Sequence, residues 1–307
     1  MNYEKIDVNG LIVAGFSPFH ADGSINIAPI PKLVDYLITM GANGFYLMGS
    51  TGEGVSMTLD QRKQVTEAYI NAIAKRVKVI VNVSHTSYEV SADLTQHAIA
   101  IGADAVSATL PSYYSISTLE QLLSAVQKIA DCQDEIPFLY YHIPGKTGLN
   151  FKMHRFLEKA NDRIPQLGGI KYTAGTLDDF ILCKKLFEKD YKMFFGVDEL
   201  FLPALSMGAD SFIGSTYNFM FPYYDTLLAH YKNGRSEEAI DAYFQVVQLI
   251  DAFLQYDGLA SQKAIMKMIG HDFGGTRSPV ISLTEGEYGS LRSNLEKLNY
   301  FAHLQKK

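Results

Sequence analysis

Short apolar segments alternate with longer amphipathic segments along the first two thirds of the chain. The short segments hold four to seven residues, are rich in Val, Ile, Phe and Tyr, and are mostly apolar throughout rather than at every second position. Such runs are typical of strands buried on both faces, as in parallel sheets. The sequence therefore predicts eight strands: Leu11–Phe16, Gly44–Met48, Val77–Val83, Ala105–Leu110, Ile136–Tyr141, Gly169–Thr173, Met193–Val197 and Ser211–Gly214.

Helical patterns fill the spaces between these strands. Thr58 with Gln61, and Thr118 with Gln121, have the spacing of a capping box at a helix start. Glycine follows three helix ends in the repeated form Gly-Ala-Asn or Gly-Ala-Asp, where it supplies the left-handed conformation that turns the chain toward the next strand. The pattern predicts helices at Ile30–Met40, Asp60–Ala74, Ser87–Ile101, Thr118–Asp131 and Leu177–Glu188.

Eight strand–helix units predict an α/β fold of the TIM (β/α)8 barrel type, because eight such units close a barrel. A doubly wound open sheet is the alternative, but no G-x-G-x-x-G loop follows the first strand. After about residue 225 the strand pattern stops, and only helices are predicted. We therefore expect a catalytic barrel over residues 1–224 and a helical extension packed on it over residues 225–307, with helices at Tyr224–Asn233, Ser236–Tyr256, Gly258–Ile269 and Leu283–Asn299.

Composition narrows the class of protein. The chain has 307 residues, 47% hydrophobic and 20% charged, and a formal net charge of −6, which does not suggest a nucleic-acid-binding surface. No apolar run approaches the roughly 20 residues that span a bilayer, and Met1–Lys5 does not begin a signal peptide. Cys132 and Cys183 are too few for a disulfide framework. We expect both to be packing residues in a cytoplasmic protein.

Lys171 is the candidate for chemistry, because it interrupts the apolar strand Gly169–Thr173. A buried lysine loses hydration, and its pKa falls until the amine becomes a neutral nucleophile able to form a Schiff base with a carbonyl. The alternative is a lysine at a strand end that extends to water or pairs with a carboxylate. The other strand ends favour the first interpretation, because active sites of such barrels lie where the strands end.

Two further strand ends carry suitable groups. In Gly49–Glu53, two glycines and two hydroxyl residues form a turn whose amide and hydroxyl donors suit a carboxylate or a phosphate, although a tight turn before a helix has the same composition. Tyr141 ends the fifth strand, where a phenol can relay a proton to a carbonyl held at Lys171. Ordinary packing is the alternative for Tyr141.

Three motifs together resemble the N-acetylneuraminate lyase and dihydrodipicolinate synthase family of pyruvate-dependent class I aldolases. They are G-S-T-G-E at 49–53, Y-x-I-P-x-x-T-G at 141–148 and G-x-K at 169–171. The resemblance extends over roughly residues 9–220, and the helical tail also fits. Within the family the chain is most similar to the lyases, because of the residues that follow Tyr141 and the segments 196–199 and 214–218.

The resemblance implies reversible cleavage of N-acetylneuraminate to N-acetylmannosamine and pyruvate, a homotetramer and no cofactor. Lys171 would form the imine and Tyr141 would transfer the proton. Ser50 and Thr51 would hold the pyruvate carboxylate, and Tyr113 would reach across a subunit interface. The sugar hydroxyls would be held by Thr173, Gly196, Asp198, Glu199 and Ser215.

Several alternatives stay open at the level of sequence. The histidines show no paired spacing for a metal, so no metal is predicted. A dihydrodipicolinate synthase or a 2-keto-3-deoxy sugar acid aldolase would keep the imine and change the substrate, and Lys146 is a possible partner for a second carboxylate. The presence of both Lys171 and Tyr141 argues against a catalytically inactive binding protein, in which one of them would be expected to be lost. Asp198 and Glu199 suit a neutral, hydroxyl-rich substrate, and capping of the helix near Leu200 is the alternative for Asp198.

Overall fold

The computed structural model describes residues 5–110 and 113–304. Most of the segment Met1–Lys5, which is not expected to begin a signal peptide, therefore lies outside the described residues, as do the last three residues. Eight parallel strands close a barrel in which each strand pairs with its neighbours in chain order and β8 pairs with β1. This confirms the predicted (β/α)8 fold. The strands are β1 Gly10–Ala14, β2 Gly44–Leu47, β3 Lys78–Asn82, β4 Ala105–Ala108, β5 Phe138–His142, β6 Leu167–Tyr172, β7 Lys192–Phe195 and β8 Ser211–Gly214.

Helices surround the barrel and continue beyond it. Those that connect the strands are α1 Ile30–Met40, α2 Leu59–Ile73, α3 Tyr88–Ala100, α4 Leu119–Ala130, α5 Pro144–Thr147, α6 Met153–Ala160, α7 Leu177–Phe187 and α8 Phe201–Ser206. Those that follow β8 are α9 Tyr217–Lys232, α10 Ser236–Leu254, α11 Gly258–Met268, α12 Glu285–Lys297 and α13 Tyr300–Leu304. Both predicted capping boxes are present at the starts of α2 and α4.

The predicted boundary at residues 224 and 225 falls within α9, which runs through it with a kink at Met220. The division into a barrel domain and an extension therefore stays a prediction. The helices of the extension pack on the barrel, as the Tyr300 hydroxyl shows by donating a hydrogen bond to the Phe219 carbonyl at 2.7 Å. The short helix α6 has no predicted counterpart, because eight residues give too little periodicity to recognise, whereas α8 begins where a helix near Leu200 is expected.

Side chains of the strands divide into two buried layers, because successive residues of a strand point to opposite faces. The outer layer packs against the surrounding helices. The inner layer fills the barrel, and Ile6 and Val8 pack against it from the segment before β1. Tyr141 belongs to the inner layer, whereas its neighbours Tyr140 and His142 face outward. This alternation decides which polar residues of β5 and β6 reach the interior.

Candidate active site

Lys171 projects into the barrel from β6, opposite Tyr141 of β5 in the strand register. Its side chain is only 5% exposed. The Nζ atom lies 3.9 Å from the centre of the Tyr46 ring and 4.2 Å from that of Tyr141. Burial lowers the pKa of Lys171 to about 7, and the charge of Asp198 opposes the shift. In a large fraction of the molecules the Lys171 amine is therefore neutral at physiological pH, as nucleophilic attack requires.

Tyr141 is 4% exposed and stands beside the Lys171 amine. Burial raises its pKa, the hydroxyls of Ser50 and Thr173 lower it, and the charge of Asp198 raises it further. The phenol therefore keeps its proton at neutral pH and is able to donate it. Tyr46, which lies beneath the same amine, receives a hydrogen bond from the Asn82 amide at 2.9 Å and donates one to the Ser107 hydroxyl at 3.1 Å. Sequence reasoning did not single out Tyr46, because a tyrosine within an apolar strand looks like packing.

The turn 49–53 follows β2 and carries Ser50 and Thr51 at the same end of the barrel. Its backbone is fixed from two sides. The Ser17 hydroxyl donates a hydrogen bond to the Gly52 carbonyl at 2.5 Å. Glu53 has the left-handed φ of 51° and forms a buried ion pair with Lys263 of α11, with 2.6 Å between Oε1 and Nζ. The turn therefore presents its hydroxyls from a rigid support.

Asp198 lies just after β7 and lines the same cavity as Lys171. Its Oδ2 atom accepts hydrogen bonds from the Thr216 amide at 3.0 Å and the Thr216 hydroxyl at 2.7 Å. Burial raises the pKa of Asp198 to about 6, and the bonds from Thr216 oppose the shift. The Oδ1 atom has no hydrogen-bond partner among the described residues. The suggestion that Asp198 caps the helix near Leu200 is wrong, because its carboxylate bonds to Thr216 and gives that helix no side-chain cap.

Two glycines make room for these groups. A Cβ atom at Gly214 would lie 2.0 Å from Oδ1 of Asp198, so the carboxylate occupies space that only glycine leaves free. A Cβ atom at Gly196 would lie 2.3 Å from the Thr173 hydroxyl and 3.4 Å from Cε of Lys171. Gly196 was predicted as a site residue and Gly214 was not, since a glycine at a strand end is usual in any tight turn.

A cavity of about 180 Å³ joins these features. Among the predicted residues it is lined by Thr51, Tyr141, Lys171, Thr173, Gly196, Asp198, Glu199 and Ser215. Sequence reasoning did not foresee that the extension contributes a wall, because helical periodicity does not tell which end of the barrel a later helix covers. The residues of that wall are Ile250, Phe253, Leu254 and Gln262.

Four other candidates do not line the cavity, although Ser50 hydrogen-bonds to Tyr141 beside it. Ser50 is exposed and adjoins Tyr141 without lining the cavity, and Tyr113 is 83% exposed with its ring against Tyr114. His142 is buried outside the barrel, where burial lowers its pKa to about 4, and Lys146 is exposed on α5. No group of three His, Cys, Asp or Glu residues within the described ranges is arranged to hold a metal ion. None of the described helices combines the length and the apolar character needed to cross a membrane.

Comparisons with known proteins agree with this geometry. The profile of the Dihydrodipicolinate synthetase family matches residues 7–298. N-acetylneuraminate lyase A of Xenopus laevis is 34% identical over 95% of this chain and 97% of its own, and the mouse N-acetylneuraminate lyase is 30% identical over 98% and 96%. The solved structure of Proteus mirabilis N-acetylneuraminate lyase has a TM-score of 0.92 at 31% identity, with 97% of this chain and all of the other covered. A dihydrodipicolinate synthase from Bacillus anthracis has a TM-score of 0.88 at 26% identity over 95% and 98%.

Proposed function

The chain belongs to the dihydrodipicolinate synthetase family, and we propose that it reversibly cleaves N-acetylneuraminate to N-acetylmannosamine and pyruvate through a Schiff base on Lys171. The observation that carries this proposal is a buried lysine with a pKa of about 7 in a cavity at the carboxyl ends of the strands. The relatives of 30% identity or more that are named above, all lyases of this sugar acid, support the choice of substrate.

Imine formation uses the neutral amine of Lys171. Its nitrogen adds to the C2 keto carbon of the open-chain sugar acid. The hydroxyl of the adduct then takes up a proton from water and leaves as water, which gives a protonated imine. The buried site leaves much of the amine free of its proton near pH 7, so the step needs no strong base. Ser50 and Thr51 hold the substrate carboxylate and thereby place the keto carbon near Nζ, which lowers the entropic part of the barrier.

Carbon–carbon cleavage follows from the imine. As the C4 hydroxyl loses its proton, the electron pair of the C3–C4 bond moves into the imine, so that N-acetylmannosamine leaves as the aldehyde and an enamine remains on Lys171. Tyr141 relays the proton: it accepts that of the C4 hydroxyl while its own passes to the Ser50 hydroxyl, whose proton goes to the substrate carboxylate. Protonation of C3 and hydrolysis of the imine release pyruvate and restore the amine.

The other cavity residues fit the sugar portion of this substrate. We assign Thr173, Gly196, Asp198, Glu199 and Ser215 to its hydroxyl groups. The charged residues among those that line the cavity are Lys171, Asp198 and Glu199, and none is an arginine. A substrate with a second carboxylate would meet like charge there, and exposed Lys146 does not line the cavity. The dihydrodipicolinate synthase alternative is therefore not favoured.

We also propose that the protein acts in the cytoplasm as a homotetramer in which Tyr113 meets a neighbouring subunit. Support comes from the exposure of Tyr113 and Tyr114, whose rings present a large apolar surface, and from Cys132 and Cys183, both free thiols. Light scattering on the purified protein measures the assembly directly. A monomer at micromolar concentration, with activity retained, would contradict the role of Tyr113.

Borohydride trapping with N-acetylneuraminate as the only added substrate tests the reaction. We expect a reduced pyruvyl adduct on Lys171, located by peptide mass, because imine formation and cleavage must both precede it. Lys146→Met, which removes an exposed lysine outside the cavity, is the matched control and should keep the adduct. Labelling of Lys171 by pyruvate but not by the sugar acid would retain the imine and contradict the substrate.

A further inference from the structure

The wall that the extension adds to the cavity is almost entirely apolar. Helix α10 contributes Ile250, Phe253 and Leu254, and α11 contributes Gln262. Gln262 is thus the polar member of a wall that otherwise offers a ligand only van der Waals contact. A single amide in such a surface fixes orientation, since specificity in apolar pockets comes from a few well-placed polar groups.

The side-chain oxygen of Gln262 is buried and accepts no hydrogen bond from any described residue. A buried acceptor without a donor destabilises the folded protein, because it has lost water and gained nothing in return. The carboxylate atom Oδ1 of Asp198 is in the same condition in the same cavity. Two unmatched acceptors indicate a ligand that brings hydrogen-bond donors.

Neighbouring contacts hold Gln262 in position. The next residue, Lys263, is 3% exposed and contacts Glu53 at 2.6 Å, the Ser17 carbonyl at 2.9 Å and the Gly275 carbonyl at 2.8 Å. The start of α11 is capped by Asp257, whose Oδ1 accepts hydrogen bonds from the amides of residues 259 and 260. The amide of Gln262 is therefore carried by a helix whose start is capped and which Lys263, the next residue, fixes to the turn after β2.

We propose that Gln262 determines specificity by accepting a hydrogen bond from a hydroxyl or amide N–H of the sugar portion of the substrate. This inference rests on the proposed function. The pyruvyl portion bound to Lys171 has a carboxylate and a methylene but no hydroxyl or amide N–H, so it has nothing to donate to Gln262. The sugar portion of N-acetylneuraminate has several hydroxyls and an amide N–H. Gln262 therefore acts on the fragment that leaves and not on the fragment that stays on the enzyme.

The experiment compares three variants of the full chain. Gln262→Leu removes the acceptor at nearly constant volume, Gln262→Glu retains an oxygen acceptor, and Gln248→Leu makes the same change on α10 at a position that lines a different depression. For each, kcat and KM are measured with N-acetylneuraminate, and labelling of Lys171 is measured with borohydride and pyruvate alone.

We expect Gln262→Leu to lower kcat/KM for N-acetylneuraminate about tenfold, as loss of one buried hydrogen bond does, while labelling by pyruvate stays within about twofold of the parent. Gln262→Glu should recover most of the loss, and Gln248→Leu should match the parent. An unchanged kcat/KM in Gln262→Leu, or an equal loss in pyruvate labelling, overturns the role of Gln262 and leaves the proposed function standing. A parent protein that pyruvate labels but that does not cleave N-acetylneuraminate overturns the proposed function, and this inference with it.

Discussion

Two buried lysines, one inside the barrel and one where the extension meets it, have opposite surroundings. Lys171 is 5% exposed and lies between two tyrosine rings, with no carboxylate in an ion pair among the described residues. Lys263 is 3% exposed and contacts Glu53 and two backbone carbonyls. Burial lowers the pKa of both, but the contact with Glu53 opposes the shift at Lys263.

This difference separates a reactive lysine from a structural one. An ammonium group that has a carboxylate and carbonyls at hydrogen-bond distance is held in its charged form and is not a nucleophile. An ammonium group surrounded by rings gains some cation–π attraction, which replaces only part of the lost hydration. Burial alone therefore does not identify a Schiff-base lysine; burial without a direct counter-charge distinguishes Lys171 from Lys263.

Substitution of each lysine by methionine should give the largest difference in turnover and in adduct formation. We expect Lys171→Met to abolish turnover and the borohydride adduct, because no other described lysine lines the cavity. Lys263→Met should keep the pyruvate adduct on Lys171 at a temperature where it is folded. Turnover by Lys171→Met at more than a trace of the parent rate would contradict the imine mechanism.

Tyr141 tests whether the ring beside Lys171 also does chemistry. Tyr141→Phe should lower kcat by about 10²–10⁴, as loss of an acid–base group does. Tyr140→Phe is the matched control, because Tyr140 is the preceding residue of β5, faces outward and packs against Phe156. Steady-state kinetics on both variants separate the loss of a proton donor from a general effect of removing a hydroxyl from this strand. Equal rates in the two variants would remove Tyr141 from the mechanism.

The stability of the two methionine variants should change in opposite directions. Lys263→Met removes the counter-charge of buried Glu53, which keeps a hydrogen bond from the Arg277 amide, and should lower the free energy of unfolding by about 3–5 kcal/mol. The pKa of Lys171 is lower in the folded protein than its ordinary 10.5, so protonation favours the unfolded chain. This penalty is complete below pH 7 and disappears as the pH rises toward 10.5. Lys171→Met should therefore raise the stability at pH 7, which denaturant titration measures.

The smallest effect concerns pH. The rate of pyruvate labelling should rise as the pH passes through about 7, where Lys171 loses its proton. Asp198→Asn removes the charge that raises the pKa of Lys171, so the rise should move to lower pH. Glu158→Gln, on the exposed surface of α6, should leave the profile unchanged. A rise near pH 10 in the parent would show that Lys171 keeps an ordinary pKa.

The sequence was sufficient for the strands and for Lys171 because both signals are local. A short apolar run marks each strand, and a lysine within such a run is conspicuous. Glu53, Lys263 and Gln262 carried no comparable signal, since the ion pair joins residues 210 positions apart and α11 looks like an ordinary amphipathic helix. The role of Gly214 also required coordinates, because only they place Asp198 where a Cβ atom would be.

The attachment of α11 to the turn after β2 has a consequence for biosynthesis. A ribosome completes β8 before it begins the helix that carries Gln262 and Lys263. At 5–20 residues per second, the interval between Gly214 and Lys263 is roughly 2–10 s. During that time the nascent barrel has its reactive lysine but neither the far wall of its cavity nor the partner of Glu53. The substrate pocket is therefore completed late in synthesis. A chain that ends before residue 263 would contain the barrel strands but would be unable to complete the pocket.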